Sequence, residues 1–325
     1  MWLALLVLLC GYVVADFVRS PFVASSGSAA VRPAQLTLWV VGAEAGGDAG
    51  TVAQQAAASL ELAGHTTVVK SLDGGTSQAV ADFLARRSGS DGANLLVVTG
   101  ATLADLAHDR ADRLVPGASE QAAVAQALLA RAEPVGALAS SPLALGVPAG
   151  STVDSGPSLL AAMRTTPWDR LVAIADDTWS RVQLAALVAH VGVSGHTRFS
   201  VFPSAADAVQ GAEIGEANMV MASRGAVRGE ARSGQLRTIP WPHDAGPTPR
   251  DWVALVSAPS AAPESLAASS SWIGTLSRDT SWHRALRREG RDPLVAQGRQ
   301  LTALLRGWSD QAARLERLSQ LVESR

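Results

Sequence analysis

Three times before residue 103 the chain runs from an apolar stretch through a loop of small residues into a helical pattern. Leu36 to Val41 stops at Gly42, a loop with Gly46, Gly47 and Gly50 follows, and an Ala/Val/Gln helical run begins. Residues 66–70 lead through Asp73-Gly74-Gly75-Thr76, and residues 94–99 lead through Gly100-Ala101-Thr102, each into another helix. Strand, glycine loop and helix together aim backbone N–H groups and a helix dipole at one point in space. Repeated units of this kind predict a parallel sheet covered by helices, with a ligand crevice at the carboxyl ends of its strands.

A second series follows. Residues 101–132 read as helical with a break at Val115-Pro116-Gly117, and a long apolar strand spans Val135–Val147. A helix at 154–165 is capped by Asp154 or Ser155, with Pro157 in its first turn. Strands at 170–175, 198–202 and 217–221 each lead into a helix, and strands at 235–241 and 252–257 precede a helical C-terminal part. Two series of units with a helical return predict two α/β lobes separated by a cleft. The division expected is 36–103 plus 242–325 for the first lobe and 104–241 for the second. An amphipathic helix from about 297 to 322 is read as a packing face.

Composition narrows the chemistry. The chain has 325 residues, 47% hydrophobic and 17% charged, and a formal net charge of −2. It reads as globular, and without a basic stripe it offers nothing to nucleic acid. Cys10 is the one cysteine, which excludes an internal disulfide and a cysteine-rich zinc site. The apolar run Trp2–Ala15 is short for a membrane span and suits an export segment. Residues 1–18 are therefore read as a signal peptide or membrane anchor, with Cys10 as a candidate acylation site, and 19–35 as a linker. A buried N-terminal helix is the competing reading.

Catalysis finds little support. His65, His108, His190, His196, His243 and His283 are scattered, with no H-E-x-x-H pair for a metal, and no G-x-S-x-G elbow occurs. Tyr12 and Lys70 are the only tyrosine and the only lysine, which removes the Tyr/Lys pair of a short-chain dehydrogenase. Gly42-x-x-x-Gly46-Gly47-x-x-Gly50 does not fit the dinucleotide fingerprint G-x-G-x-x-G. Neither enzyme activity nor a cofactor is expected.

The order of motifs resembles the periplasmic solute receptors of tripartite tricarboxylate transporters, over about residues 36–305. Ala45-Gly46-Gly47-Asp48-Ala49-Gly50 stands where that family has Pro-Gly-Gly-Gly-x-Asp. Gly74-Gly75, Asp91-Gly92 and the strand ending Val98-Thr99-Gly100 follow in the family's order. Ala139–Leu145, Ile214-Gly215-Glu216-Ala217-Asn218, Ser233-Gly234-Gln235-Leu236-Arg237 and Trp252–Pro259 continue it. The resemblance implies a two-lobe, periplasmic-binding-protein-like α/β fold of type II, with a small carboxylate or polar solute between the lobes. It also implies membrane transporter subunits as partners and an extracytoplasmic location. Three positions depart from the pattern: Gly50 replaces the loop's last aspartate, Asp176-Asp177-Thr178-Trp179-Ser180 replaces a Gly/Ser-rich loop, and Phe202-Pro203-Ser204 replaces an aromatic-Lys-Gly stretch.

Ligand contact is expected at Gly46, Gly47 and Asp48 in the first loop and at Thr99 at the end of the third strand. In the second lobe it is expected at Asp177, Thr178, Trp179 and Ser223. Each has a plainer reading as a turn or a helix cap, and Arg224 reads best as a solvated helix-start residue. A carboxylate about 4 Å from an anionic ligand costs roughly 4 kcal/mol at an effective dielectric of 20. Glu44, Asp48, Asp176 and Asp177 therefore point to a monoanionic, zwitterionic or neutral ligand over a citrate-like acid. Two other readings stay open: a Rossmann-like nucleotide-binding oxidoreductase, and a receptor fold serving sensing or scaffolding without transport.

Overall fold

The computed structural model describes residues 35–42, 45, 47–86, 94–111, 118–166, 171–175, 178–192, 198–245, 248–259, 261–294, 296–303, 305 and 307. Among the described residues the strands are β1 (Leu36–Val41), β2 (Thr67–Leu72), β3 (Asn94–Thr99), β4 (Glu133–Pro148), β5 (Leu171–Ala175), β6 (Arg198–Phe202), β7 (Met219–Ser223), β8 (Leu236–Ile239), β9 (Arg250–Ser257) and β10 (Asp292–Pro293). The helices are α1 (Asp48–Leu62), α2 (Thr76–Arg86), α3 (Gly100–Ala111), α4 (Ala118–Leu129), α5 (Gly156–Thr165), α6 (Thr178–Val191), α7 (Ala205–Glu213), α8 (Arg224–Ser233), α9 (Pro263–Arg278) and α10 (Thr280–Arg288). The leader, Cys10 and the linker lie outside the described residues, as does most of the 297–322 helix. Its residue Leu301 is described and fully buried.

The first three units form the expected parallel array, with β1 between β2 and β3. Growth stops there, because β9 joins β3 antiparallel and β4 joins β9 antiparallel. A dinucleotide fold would continue with parallel strands at this edge; a strand returning from far along the chain closes it instead. The second half repeats the scheme, with β5 parallel to both β6 and β7 and with β4 antiparallel to β7 and β8.

The passage between the halves lies inside β4. Glu133 to Pro142 pairs with β9, whereas Leu143 to Pro148 pairs with β7 and β8. The change of partner falls between Pro142 and Leu143. Leu106 of α3 and Ala125 of α4 are buried in one cluster with Val98 and Val256 of the first half. The physical reason is length: at 16 residues, β4 serves both sheets without a crossing loop. The chain returns between Ile239, which pairs with Leu145, and Arg250, which pairs with Pro142.

Strand alternation builds a core on each face of both halves, as expected of sheets covered on both sides. Leu36, Leu38 and Val40 face α1, α9 and α10, while Val41, Leu96 and Val98 face α2, α3 and α4. In the second half Val172, Ile174, Met219 and Met221 pack with α5 and α6, and Ala173, Val220 and Ala222 pack with α7 and α8. A smaller cluster joins the halves: Trp179 of α6 lies on Ala101 and Ala104 of α3. Among the described residues no helix is long and apolar enough to cross a membrane.

Candidate ligand site at the strand carboxyl ends

Because β1 and β3 are parallel neighbours, α1 and α3 begin side by side at one edge of the sheet. The start of α1 is open in a specific sense. Its N-cap is Gly47, exposed and extended, and among the described residues no side chain caps the helix's first amides. Gly50 is buried in the first turn because the loop folds back onto it: a Cβ there would collide with the Ala45 carbonyl. This explains the departure at that position, since an aspartate side chain has nowhere to go. Gly46 and Glu44 lie outside the described residues.

Asp48 does not face the opening with an uncompensated charge. Its carboxylate accepts from Arg291 at 2.8 Å, and Arg291, only 7% exposed, also pairs with Glu289. Gln55 of α1 donates to the same Glu289. The turn from α10 to β10 thus closes over the first turns of α1. It reaches the second half too: Arg224 donates through Nε to the Gly290 carbonyl at 2.8 Å and pairs with Asp292 at 2.9 Å. Arg224 is therefore tied into an ion pair, where the sequence suggested a solvated residue. Arg250 pairs with Asp292 from the other side at 2.7 Å. Burial pushes the Asp292 carboxyl up, but hydrogen bonds from Arg250 and Arg224, and the charges behind them, outweigh it and hold it below its ordinary value.

At α3 the polar groups are already engaged. Thr99 and Thr102 cap each other: the Thr102 amide donates to Thr99 Oγ1 at 2.9 Å and the Thr99 amide to Thr102 Oγ1 at 3.0 Å. The Gly100 amide donates to Asp251 Oδ1 at 2.6 Å, and the same oxygen accepts from the Trp252 amide at 2.7 Å. Trp179 packs on the other side of Gly100. Its Cε3 lies 3.5 Å from where a Gly100 Cβ would stand.

The structure separates the residues picked from sequence into groups. Gly47 and Asp48 stand at the α1 start, and Thr99 and Trp179 meet around the α3 start. Ser223 caps α8 by accepting from the Ala226 amide, with the Glu289 carbonyl crowding Gly225 beside it. Trp179 occupies the first turn of α6, not a loop, and is 4% exposed. Its Nε1 and the Nε2 of Gln183, one turn on, are buried donors without a partner. Asp176 and Asp177 lie outside the described residues, as does the side chain of Thr178. Sequence reasoning missed Asp251, Arg291 and Asp292. The only signal was local: an acidic residue opening the Trp252 strand, and the run Arg288-Glu289-Gly290-Arg291-Asp292 after a helix.

Two α/β halves sharing one long strand, with helix starts gathered at the strand ends, define a two-lobe binding-protein fold. Among solved structures, the chain is similar to the periplasmic binding protein BugD, with 16% identity, 89% of this chain and 98% of that one covered, and a TM-score of 0.67. It is similar to MatC from Rhodopseudomonas palustris with bound malate, at 16% identity, 88% and 99% coverage and a TM-score of 0.65. An R. palustris protein, Rpa4515, with adipate matches at 18% identity, 90% and 98% coverage and a TM-score of 0.68. No protein-family model matches the sequence, and no curated protein does. The fold is thus the two-lobe fold of periplasmic binding proteins, the fold to which the order of motifs pointed.

Proposed function

We propose that this chain is an extracytoplasmic solute-binding receptor of the tripartite tricarboxylate type, holding a small carboxylate or polar solute between its lobes without chemical conversion. The observation that carries the reading is the α1 start, glycine-capped and free of a side-chain cap, at a strand carboxyl end in this fold. Similar structures hold malate and adipate. Asp48 is paired with Arg291, which it shares with Glu289, so its charge at that helix end is offset in part. Contact falls to Gly46, Gly47 and Asp48 from the first lobe and to Asp177, Thr178 and Trp179 from the second. Transporter subunits in the membrane are the proposed partners, with the N-terminal segment directing export and Cys10 a candidate anchor.

Thermal-shift measurements on the purified protein test this against monocarboxylates, dicarboxylates, citrate, amino acids and NAD. A ligand at about 100 times its Kd stabilises by about 2.7 kcal/mol. In a protein of this size that raises Tm by roughly 4 °C. A carboxylate is expected to do so. A response to NAD alone, or to none of these compounds, overturns the reading.

A further inference from the structure

We infer that Asp251 and Trp179 restrict the cleft to ligands with one carboxylate, which rests on the receptor reading above. A dicarboxylate held across such a cleft needs two groups of donors, and helix starts at strand ends are the natural supply. Here the supply is reduced from within. The Gly100 amide, at the start of α3, already donates to the Asp251 carboxylate at 2.6 Å, a short charge-assisted bond backed by the Trp252 amide. The protein's own carboxylate thus stands where a ligand's second carboxylate would bind.

The space beside it is filled as well. Trp179 packs on Gly100, Ala101 and Ala104, so the indole walls off the α3 start from the second lobe's side. At α8 the place is taken by Ser223 as cap and by the Glu289–Gly290 turn. The arginines near these helix starts are engaged too: Arg224 and Arg250 on Asp292, and Arg291 on Asp48 and Glu289. A second ligand carboxylate at the α3 start would meet the Asp251 carboxylate. At ~4 Å and an effective dielectric of about 20, that repulsion corresponds to about a thousandfold in Kd. The α1 start remains for one carboxylate.

Calorimetry on the full chain with matched acids tests this: butyrate with succinate, lactate with malate, hexanoate with adipate. In at least one pair the monoacid is expected to bind 100-fold or more tighter than its diacid. Asp251→Asn is expected to narrow that ratio at least tenfold, mainly by strengthening the diacid. Asp251→Ser, which keeps a capping oxygen for Gly100, is the second variant should the amide disturb folding, and the same narrowing is expected. Equal or tighter diacid binding by the wild type overturns the inference and leaves the receptor reading intact. So does a ratio unchanged in both variants. Binding of none of the six acids overturns the inference, and if the wider panel also fails, the receptor reading falls with it.

Discussion

At Gly50 a single missing side chain fixes the first loop. The Ala45 carbonyl occupies the place of a Cβ, so Gly50→Ala must push the loop outward or strain the first turn of α1. Overpacking of this kind costs about 1–3 kcal/mol. With roughly 1.5 °C of Tm per kcal/mol for a chain of this size, a fall of a few degrees at most is expected in thermal denaturation. Gly75→Ala is the control, since no atom lies within 4 Å of the added methyl and φ is unstrained. It should move stability by no more than about 0.5 kcal/mol. Equal effects of the two changes would mean the loop does not rest on Gly50. The same contact leaves no room at Gly50 for the aspartate that ends the motif this loop resembles, so this departure is one of packing.

Between elements, the turn after α10 ties several parts of the fold together. Asp292 of β10 binds Arg224 at the head of α8 and Arg250 at the head of β9, joining strands and a helix from both halves. Because the Asp292 carboxyl lies below its ordinary value in the folded protein, its contribution has a definite sign. A depressed carboxylate stabilises above the unfolded value of about 3.9, and that stabilisation is lost as pH falls through the folded value. Asp292→Asn should therefore be less stable than wild type at pH 7, with the gap closing as pH drops below about 4. Tm measured from pH 7 to pH 3 checks this. A gap that stays constant would show that the carboxylate's charge is not what holds α8 to β9 and β10.

On the scale of the whole molecule, the shared strand decides cooperativity. β4 contributes Val135, Leu138 and Ala139 to one core and Leu143, Leu145 and Val147 to the other. Melting either half removes the partners of half of this strand, and the two cores cannot separate cleanly. Far-UV circular dichroism and tryptophan fluorescence are accordingly expected to report one transition with the same midpoint in urea. Trp39, Trp252, Trp272 and Trp282 sit in the first half, and Trp179 and Trp241 in the second, so fluorescence sees both. Two resolved transitions would show that the halves fold independently across β4.

The sequence by itself determined the elements and their order. Short apolar runs such as Leu36–Val41 and Asn94–Thr99, broken by glycine, specify strand and turn within a few residues. Motif order was enough to point to the two-lobe fold. The lobe boundary was not legible, because nothing in the run from Glu133 to Pro148 marks the point where β4 changes partners. The state of each helix start was likewise beyond reach. Asp251 caps Gly100 from 151 residues away, and Arg291 pairs with Asp48 from 243 residues away. An isolated carboxylate in a sequence reads equally as ligand contact, cap or ion-pair partner. Only the packed chain supplies the partner that decides among them, and here it left α1 open while closing α3 and α8 with the protein's own groups.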